Sequence, residues 1–521
     1  MTASRIATLI EDAARAAPDR RAIITGQVTL TYSALHDRVL RCVGLLRHLG
    51  VRPDARIGYL GLNSIDFVIL MQAAQRVGAV LVAINWRLAP PEIAYILKDS
   101  GIDLLISENA RLEAVRTARG AVAISKVILT DAPFEGCAAF LDEVLAQQPD
   151  AELADIKSDM AALQLYTSGT TGNPKGALLT HGNLAASLAQ CDKIQEDWAR
   201  WDETDIALVA MPQFHIGGVA WTLQALKGKA SMALLSTPDI DAIIDSLSNH
   251  GITKMFAVPA VLNMLLSHPK AADTTFPSMR ELLYGASPIS LPVLKRSMEK
   301  FPNAQFVQLY GATETCGTVV YLPPEDHAIQ GTPRMAGCGK PYPDVALKIT
   351  DSSGMELPPG AVGEVRLKSP LVMLGYHNLP QATEQALVDD WYRTGDAGYV
   401  DADGYLYLLD RVKDMIVSGA ENIYPAEVEN ALAAHPAIAD CGVIGVPDEK
   451  WGEAVKAIVV LKPGQSATPE EIIAFVRQRI AGYKAPKSVD FVDALPRNPS
   501  GKILKRELRR KWWPADGRAI N

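Results

Sequence analysis

The 521-residue chain is poor in cysteine, and the six it has form no C-x-x-C pair. They are scattered along the chain: Cys42, Cys137, Cys191, Cys316, Cys338 and Cys441. This scatter predicts free thiols in a reducing compartment and argues against a disulfide framework or a zinc site.

The chain also lacks an excess of positive charge and any long hydrophobic run. Lys and Arg number 51 against 59 Asp and Glu, a formal net charge of -8, which argues against general nucleic-acid binding. The first 22 residues carry Glu11, Asp12 and Asp19 among their apolar positions and lack the apolar core of a signal peptide. No apolar run approaches the length of a membrane span. We therefore expect a soluble, cytoplasmic protein with no transmembrane segment.

What is present predicts an α/β protein of more than one domain. Strand-like segments at 56–62, 80–84, 104–107 and 127–129 alternate with helical periodicity, which predicts parallel sheets with helices on their faces. Between 331 and 407 the chain changes to short β segments with Gly and Pro turns, which predicts a small, largely antiparallel sheet or barrel. The remaining, C-terminal part of the chain follows a β-α-β-α pattern.

Residues 165–176 read LYTSGTTGNPKG, a run of small and hydroxylated residues that ends with Lys175 and Gly176. Glycines let the backbone approach a ligand, hydroxyls donate hydrogen bonds, and the lysine adds a charge, so the run suits a polyphosphate. It is not a Walker A loop, because Gly176 stands where Ser or Thr would be required. The alternative is a surface turn between a strand, 162–166, and a helix.

Further strands deliver polar residues into loops, at 206–218, 282–287 and 306–315. Ligands of open α/β sheets bind at the carboxyl ends of strands. On their own, His215 would be a structural histidine and Glu314 a solvated loop carboxylate.

Together these segments resemble the adenylate-forming superfamily, which includes acyl-CoA synthetases, aryl-CoA ligases, luciferases and nonribosomal adenylation domains. The resemblance begins at 165–176, continues in the family's order through 285–287, 310–314, 391–396, 410–416 and 496–503, and spans essentially the whole chain. It implies a large N-terminal domain, 1–410, of two stacked mixed sheets with helices plus a small β-barrel-like subdomain. It also implies a small, mobile α+β C-terminal domain, 411–521, that swings about Lys413.

The resemblance also implies site residues. The triphosphate would be held by Thr167, Ser168, Gly169, Thr170, Thr171, Gly172 and Lys175. Gly285, Ala286 and Ser287 would form a backbone shelf for adenine and the acyl chain, beside Tyr310 and Gly311. Tyr310 would stack on adenine, Thr313 would bind the α-phosphate, and Asp396 and Arg411 would hold the ribose. Mg²⁺ would be held by Glu314 and Thr170. The catalytic residues would be Lys502, Thr167, Glu314 and His215, with His215 gating the acyl pocket.

For coenzyme A, the resemblance implies a pantetheine loop at Gly419 and Ala420, where the family usually has two glycines. Trp451, Lys484 and Lys487 match segments that contact the CoA nucleotide in some relatives, although a solvated turn is an equal alternative.

The implied reaction is ATP-dependent activation of a small-molecule carboxylic acid as acyl-AMP, followed by transfer to CoA. The acyl pocket would be lined by 215–221, 285–289 and 311–319, which with Val320 offer small residues and valines and no obvious charged partner for a polar side chain. This favours a medium- to long-chain fatty acid. The alternatives are an aryl or hydroxycinnamic acid, a carrier-protein thiol as acceptor, or a binding protein that has lost the chemistry.

We also expect a homodimer. The basic, aromatic run 505–513 is a solvated helix or a peripheral membrane contact.

Overall fold

Helices and strands alternate along most of the chain. The computed structural model describes residues 2–26, 28–119, 124, 126–131, 133, 137–167, 173–411, 414–418, 421–448, 451–497 and 503–513, without the side chains of 117–119, 410, 411, 421 and 422. The helices are α1 (Ala3–Ile6), α2 (Leu9–Ala16), α3 (Tyr32–His48), α4 (Ile65–Val77), α5 (Pro90–Ser100), α6 (Leu112–Arg119), α7 (Phe140–Leu145), α8 (His181–Lys193), α9 (Ile216–Lys227), α10 (Ile240–Asn249), α11 (Pro259–Ser267), α12 (Pro269–Ala272), α13 (Leu291–Lys300), α14 (Pro380–Ala386), α15 (Pro425–Ala433), α16 (Pro469–Arg477) and α17 (Lys505–Arg509).

The strands are β1 (Arg21–Ile24), β2 (Thr29–Thr31), β3 (Arg56–Leu60), β4 (Val80–Ala83), β5 (Leu104–Ser107), β6 (Lys126–Leu129), β7 (Ala161–Thr167), β8 (Lys175–Thr180), β9 (Ile206–Val209), β10 (Ser231–Leu234), β11 (Lys254–Ala257), β12 (Glu281–Gly285), β13 (Gln305–Ala312), β14 (Gly317–Leu322), β15 (Lys340–Pro341), β16 (Ala346–Thr350), β17 (Gly363–Lys368), β18 (Gly375–Tyr376), β19 (Leu387–Val388), β20 (Trp391–Val400), β21 (Leu406–Arg411), β22 (Ile416–Ser418), β23 (Glu421–Ile423), β24 (Ile438–Asp448), β25 (Gly452–Leu461) and β26 (Ser488–Phe491).

Two large mixed sheets dominate the described part of the chain. One has the order β15-β14-β13-β12-β11-β9-β10-β1-β2, and the other the order β18-β8-β7-β4-β3-β5-β6. Strands β9 to β13 are parallel to one another, as are β3 to β7, and antiparallel strands lie at the edges. This arrangement confirms the predicted α/β class with mixed sheets.

The core between the sheets explains the stacking. Helix α4 is buried from Phe67 to Val77, including the polar residues Gln72, Gln75 and Arg76, so it is covered on all sides. Its residues share one core cluster with residues of both sheets, such as Leu81 of β4 and Met232 of β10. Helix α4 and strands of both sheets therefore belong to one continuous core.

Two smaller sheets complete the fold within the described residues. The antiparallel strands β16, β17, β20 and β19, with β21 on the edge of β20, form the small sheet predicted between 331 and 407. Strands β22 to β26 form a C-terminal sheet with its own core cluster, to which helices α15 and α16 contribute. The small α+β C-terminal unit is therefore present as expected.

The alternative interpretation of residues 165–176, a turn between a strand and a helix, is wrong. The run 165–176 does not lead from a strand into a helix, because strand β8 begins at Lys175 and pairs antiparallel with β7 before α8 starts. Strands β7 and β8 are therefore the two arms of a hairpin, which we call the β7–β8 hairpin.

In the described part of the chain, no helix is both long enough and apolar enough to cross a membrane.

Candidate active site

The β7–β8 hairpin brings two predicted phosphate ligands face to face. Thr167, the last residue of β7, is the register partner of Lys175, the first residue of β8. Antiparallel partners lie close together on one face of the sheet. Ser168, Gly169, Thr170, Thr171 and Gly172, which were predicted to bind phosphate, lie outside the described residues.

Glu314 lies beside this hairpin. Strand β13 ends at Ala312, and a 3₁₀ turn from Thr313 to Thr315 carries the carboxylate into the space next to β7. Glu314 Oε1 accepts a hydrogen bond from Tyr376 Oη at 2.9 Å and a longer one from Thr167 Oγ1 at 3.4 Å. The backbone carbonyl of Glu314 also accepts from Met373 N at 2.8 Å, which fixes the turn.

Tyr376 is a site residue that the sequence analysis missed. It lies on β18, which pairs with β8, and its ring lies under Lys175 with Nζ 5.0 Å from the ring centroid. Tyr376 therefore contacts both the predicted metal carboxylate and the predicted phosphate lysine. The only sequence signal was a Gly-Tyr pair after a polar turn, which is common in loops.

The four residues Thr167, Lys175, Glu314 and Tyr376, which we call the phosphate-end cluster, come from three separate parts of the chain. A lysine, a carboxylate and two hydroxyls at one spot suit a metal-bound polyphosphate. Among the described residues, no group of three or more His, Cys, Asp or Glu side chains could hold a metal ion alone. A single carboxylate, that of Glu314, fits Mg²⁺, which commonly takes one or two carboxylates plus substrate phosphates.

Tyr310 and Asp396, predicted to hold adenine and ribose, are joined directly. Tyr310 Oη donates to Asp396 Oδ2 at 2.7 Å, and Asp396 N donates to Thr394 Oγ1 at 3.0 Å. Burial and the Asp396 charge raise the pKa of Tyr310 well above its ordinary value, so the phenol stays a neutral donor. Arg411 is the register partner of Asp396, which puts its backbone beside the same spot.

The backbone at the ends of β12 and β13 is packed too tightly for side chains. A Cβ at Gly285 would lie 2.1 Å from Leu309 O, and a Cβ at Gly311 would lie 1.9 Å from Gly317 O. Ala286 has a φ of 65° and is exposed, and Ser287 follows it. The segment 285–287 thus presents open backbone at the carboxyl end of the sheet, the geometry that the predicted shelf requires.

His215 lies just before α9, half-buried, with its ring 4.6 Å from that of Phe214. Asn63 holds this loop: its Oδ1 accepts from Gln213 N at 2.8 Å, and its Nδ2 donates to Met211 O at 3.0 Å. Asn63 was also missed by the sequence analysis, because it precedes α4 about 150 residues earlier in the chain. The valines expected near the acyl group, at 219, 319 and 320, are fully buried in the main core cluster.

The predicted CoA residues lie in the C-terminal unit. Lys484 Nζ contacts both carboxylate oxygens of Glu427 at 2.8 Å, Trp451 is exposed, and Lys487 precedes β26. A phosphate at Lys484 would have to compete with Glu427. Lys413, Gly419, Ala420 and Lys502 lie outside the described residues, as does the side chain of Arg411.

Comparisons with known proteins agree with this arrangement. Residues 10–377 match the model of a family described as AMP-binding enzyme, and residues 427–502 match that of the AMP-binding enzyme C-terminal domain. The chain is 41% identical to a fatty acid–[acyl-carrier-protein] ligase, ScoC, of Streptomyces coeruleorubidus, over 97% of this chain and 96% of the relative. It is 39% identical to a feruloyl-CoA synthase of an Amycolatopsis species, over 96% of this chain and 97% of the relative.

Among solved structures, the chain is similar to ATP-bound MatB from Rhodopseudomonas palustris. The TM-score is 0.88 at 29% sequence identity, and the match covers 98% of this chain and 99% of the other.

Proposed function

The chain belongs to the AMP-binding enzyme family and is an acid–thiol ligase, and from that premise we propose that it activates a medium- to long-chain fatty acid and transfers it to CoA. The products would be acyl-CoA, AMP and pyrophosphate. The observation that carries the proposal is the phosphate-end cluster together with the Tyr310–Asp396 pair, since strand β13 and the turn after it carry both Tyr310 and Glu314. One part suits the triphosphate, and the other suits the nucleoside.

In the first half-reaction a carboxylate oxygen attacks the α-phosphorus of ATP, and the bond to the bridging oxygen of pyrophosphate breaks. The acid is already ionised at neutral pH, so no general base is needed. Catalysis then depends on position and charge. Lys175 and Thr167 hold the β and γ phosphates, while Asp396 and Tyr310 hold the nucleoside.

Glu314 and Thr170 would hold Mg²⁺, which neutralises charge on the phosphates when it is bound. Tyr376 keeps the Glu314 carboxylate turned toward the hairpin through its hydrogen bond. Lys502 would offset the charge that builds on the α-phosphate. Thr313, one residue before Glu314, would bind the same phosphate.

In the second half-reaction the thiolate of CoA attacks the acyl carbonyl, and AMP leaves. We propose that the boundary at 410/411 is the domain boundary and that Lys413 is the hinge for a rotation between the two steps. The 419–420 loop would then replace Lys502 at the site, with Trp451, Lys484 and Lys487 toward the CoA nucleotide.

Two rivals each have a specific observation behind them. The relative that shares 41% identity acts on a fatty acid with a carrier protein, which favours a carrier-protein acceptor. The relative that shares 39% identity is a feruloyl-CoA synthase, which favours an aryl acid. The segments 215–221 and 285–289 contain no Asp, Glu, Lys or Arg, so an alkyl chain bound there would not desolvate a charged side chain of these segments.

The test is pyrophosphate release over a panel of alkyl and aryl acids, each with CoA, with a holo carrier protein or with neither. Alkyl acids of medium to long chain with CoA should give the highest kcat/KM, and mass spectrometry should identify the acyl-CoA. A peak on aryl acids, or turnover only with the carrier protein, would replace the proposal by the corresponding rival.

The expected homodimer also remains a proposal, and light scattering of the purified protein measures the molar mass that tests it.

A further inference from the structure

A group of six side chains lies behind the β7–β8 hairpin and has no part in the proposed reaction. They come from the start of β3, the end of α5, strand β7 and the segment after β18. We call this group the hairpin brace: Arg56, Asp99, Gln164, Tyr166, His377 and Asn378.

Hydrogen bonds link the hairpin brace in sequence. Arg56 Nε donates to Gln164 Oε1 at 3.0 Å, Gln164 Nε2 donates to Tyr166 Oη at 2.9 Å, and Tyr166 Oη donates to Asp99 Oδ2 at 2.6 Å. From the other side, Arg56 Nη2 lies 3.3 Å from His377 Nδ1. Asn378 Nδ2 lies 3.0 Å from His377 Nε2 and donates to Asp99 O at 3.2 Å. These contacts return to Asp99, although a neutral imidazole has one acceptor nitrogen, so His377 accepts from Arg56 or from Asn378 and not from both.

The hairpin brace and the phosphate-end cluster lie on opposite faces of the same strands. Successive side chains of a strand point to opposite faces, so Tyr166 and Thr167 diverge. Tyr376 and His377 diverge in the same way: the first bonds Glu314 and the second approaches Arg56. Two adjacent pairs of residues thus each supply one side chain to the reaction face and one to the hairpin brace.

The hairpin brace contacts both strands at the mouth of the hairpin. Gly176 is the register partner of Tyr166, and a Cβ there would lie 2.6 Å from Gln164 Nε2 and 3.1 Å from Tyr166 Cζ. His377 N donates to Gly176 O at 2.8 Å. These contacts are one residue away from Thr167 on one strand and from Lys175 on the other.

The protonation states suit a fixed framework. Burial, together with the bond to Asp99, raises the pKa of Tyr166, so its hydroxyl remains a donor at neutral pH. Burial, and then the Arg56 charge, lower the pKa of His377, which favours the neutral ring that can accept from arginine. Gln164 is fully buried, so losing either partner would leave a buried amide group unpaired.

We infer that Tyr166, Gln164 and Asp99 are positioning residues that act through Thr167 and Lys175, fixing the hairpin mouth at the spacing that the β and γ phosphates of ATP require. The inference rests on the proposed function, because it assumes that this hairpin holds the triphosphate. It predicts a selective defect: binding of ATP weakens, while binding of AMP, which has no β or γ phosphate, does not.

The test variant is Tyr166→Phe, which removes the shared hydroxyl and keeps the ring. Calorimetry should show a Kd for MgATP about 10-fold higher than in the wild type, equivalent to about 1.4 kcal/mol. The Kd for AMP should change less than about twofold, well under 1 kcal/mol. The matched control is Tyr32→Phe, which removes another buried tyrosine hydroxyl bond, to Ala230 O at 2.7 Å, away from the hairpin. It should leave both constants unchanged.

A second pair of variants covers the case in which Tyr166→Phe does not fold. Asp99→Asn keeps an oxygen that can accept from Tyr166, and Asp99→Ala removes it. The alanine variant should reproduce the selective loss of ATP affinity, and the asparagine variant should restore most of it. Equal loss of ATP and AMP affinity, no loss of either, or the same loss in Tyr32→Phe would overturn the inference.

Equilibrium binding needs no turnover, so the two proposals can fail separately. A wild-type chain that binds ATP but makes no acyl-CoA would overturn the proposed function, while the ATP-to-AMP ratio of the variants would still judge the hairpin brace. A wild-type chain that binds neither nucleotide would overturn both.

Discussion

Among the described residues, two hydroxyls donate to Glu314, and Tyr376 provides the shorter of these bonds. Tyr376→Phe should lower the rate of ATP–pyrophosphate exchange by about 10- to 100-fold, because a hydrogen bond to a charged group contributes about 1.5–3 kcal/mol. The Mg²⁺ concentration needed for half-maximal exchange should also rise. Tyr483→Phe, at an exposed tyrosine of the C-terminal unit, is the control and should exchange at the wild-type rate. Wild-type exchange in Tyr376→Phe would contradict the assigned role.

His181, the first residue of α8, is a source of acid sensitivity. It is fully buried, and within the described residues neither ring nitrogen has a hydrogen-bond partner, so burial lowers its pKa to about 4. The unfolded chain binds a proton at about pH 6.5 and the folded chain only near pH 4, so stability is lost as pH falls through this window. This residue alone should lower the free energy of unfolding by about 2 kcal/mol between pH 7 and pH 5.

The measurement is urea unfolding at both pH values for wild type, His181→Phe and His48→Gln. His181→Phe should reduce the measured difference by about 2 kcal/mol, whereas the substitution of exposed His48 should not change it. Burial also lowers the pKa of His327 to about 4, so part of the pH dependence should remain in His181→Phe. If His181→Phe keeps the full pH dependence, another group is responsible.

Individual site residues could be predicted from the sequence only where they lie inside a recognisable motif. Glu314, Thr167 and Lys175 lie in runs whose composition already suggests phosphate chemistry, and the structure brings them together. Tyr376 and Asn63 lie in segments with no distinctive motif, and only contacts with residues 62 and 150 positions away in the chain make them part of the site. Nothing local distinguishes such residues.

At the scale of elements, the paired strands β13 and β14 leave no room for a side chain at Gly311. A methyl group there would lie 1.9 Å from Gly317 O, a backbone atom that cannot move without moving β14. Gly311→Ala should therefore destabilise the protein by about 3 kcal/mol, as overpacking does, and should raise the KM for ATP, since Tyr310 and Glu314 flank the distortion.

The matched control is Gly482→Ala, where a Cβ would meet nothing within 4 Å. It should change stability by less than about 0.5 kcal/mol. Denaturant midpoints and ATP saturation curves compare the two variants. If the two variants have equal stability and equal KM for ATP, the backbone at Gly311 is less tightly packed in solution than in the structure.

Element prediction succeeded where periodicity was strong and failed at the hairpin. Runs such as 56–60 and 80–83 are apolar and bounded by turns, so their strands were expected. Strand β8 was missed because Lys175 and Gly176 look like loop residues. Its strand conformation comes from pairing with β7 on one side and β18 on the other, which are tertiary contacts.

At the scale of the whole molecule, the proposed domain rotation between the two half-reactions gives Lys502 a role in acyl-AMP formation only. Lys502→Ala should lower acyl-AMP formation from acid and ATP by about 10²-fold or more, by analogy with removing one transition-state donor. It should leave CoA thioester formation from preformed acyl-AMP close to the wild-type rate. Equal loss in both half-reactions would contradict the assignment and the rotation with it.

The overall architecture was predictable because each layer has its own pattern: alternating strands and helices, then short β segments, then a separate β-α-β-α region. The stacking of the two large sheets was not derivable from periodicity. It followed from the family resemblance, and in the structure one core cluster includes helix α4 and residues of both sheets.

The most direct test of the central claim follows one oxygen atom. If the enzyme forms an acyl-adenylate, a fatty acid labelled with ¹⁸O in its carboxylate must give one labelled oxygen to AMP when CoA releases the acyl group. Mass spectrometry of the AMP and pyrophosphate should show the label in AMP alone. Label in pyrophosphate or inorganic phosphate, or ADP as the nucleotide product, would mean that the acid attacks a different phosphorus and that the proposed reaction is wrong.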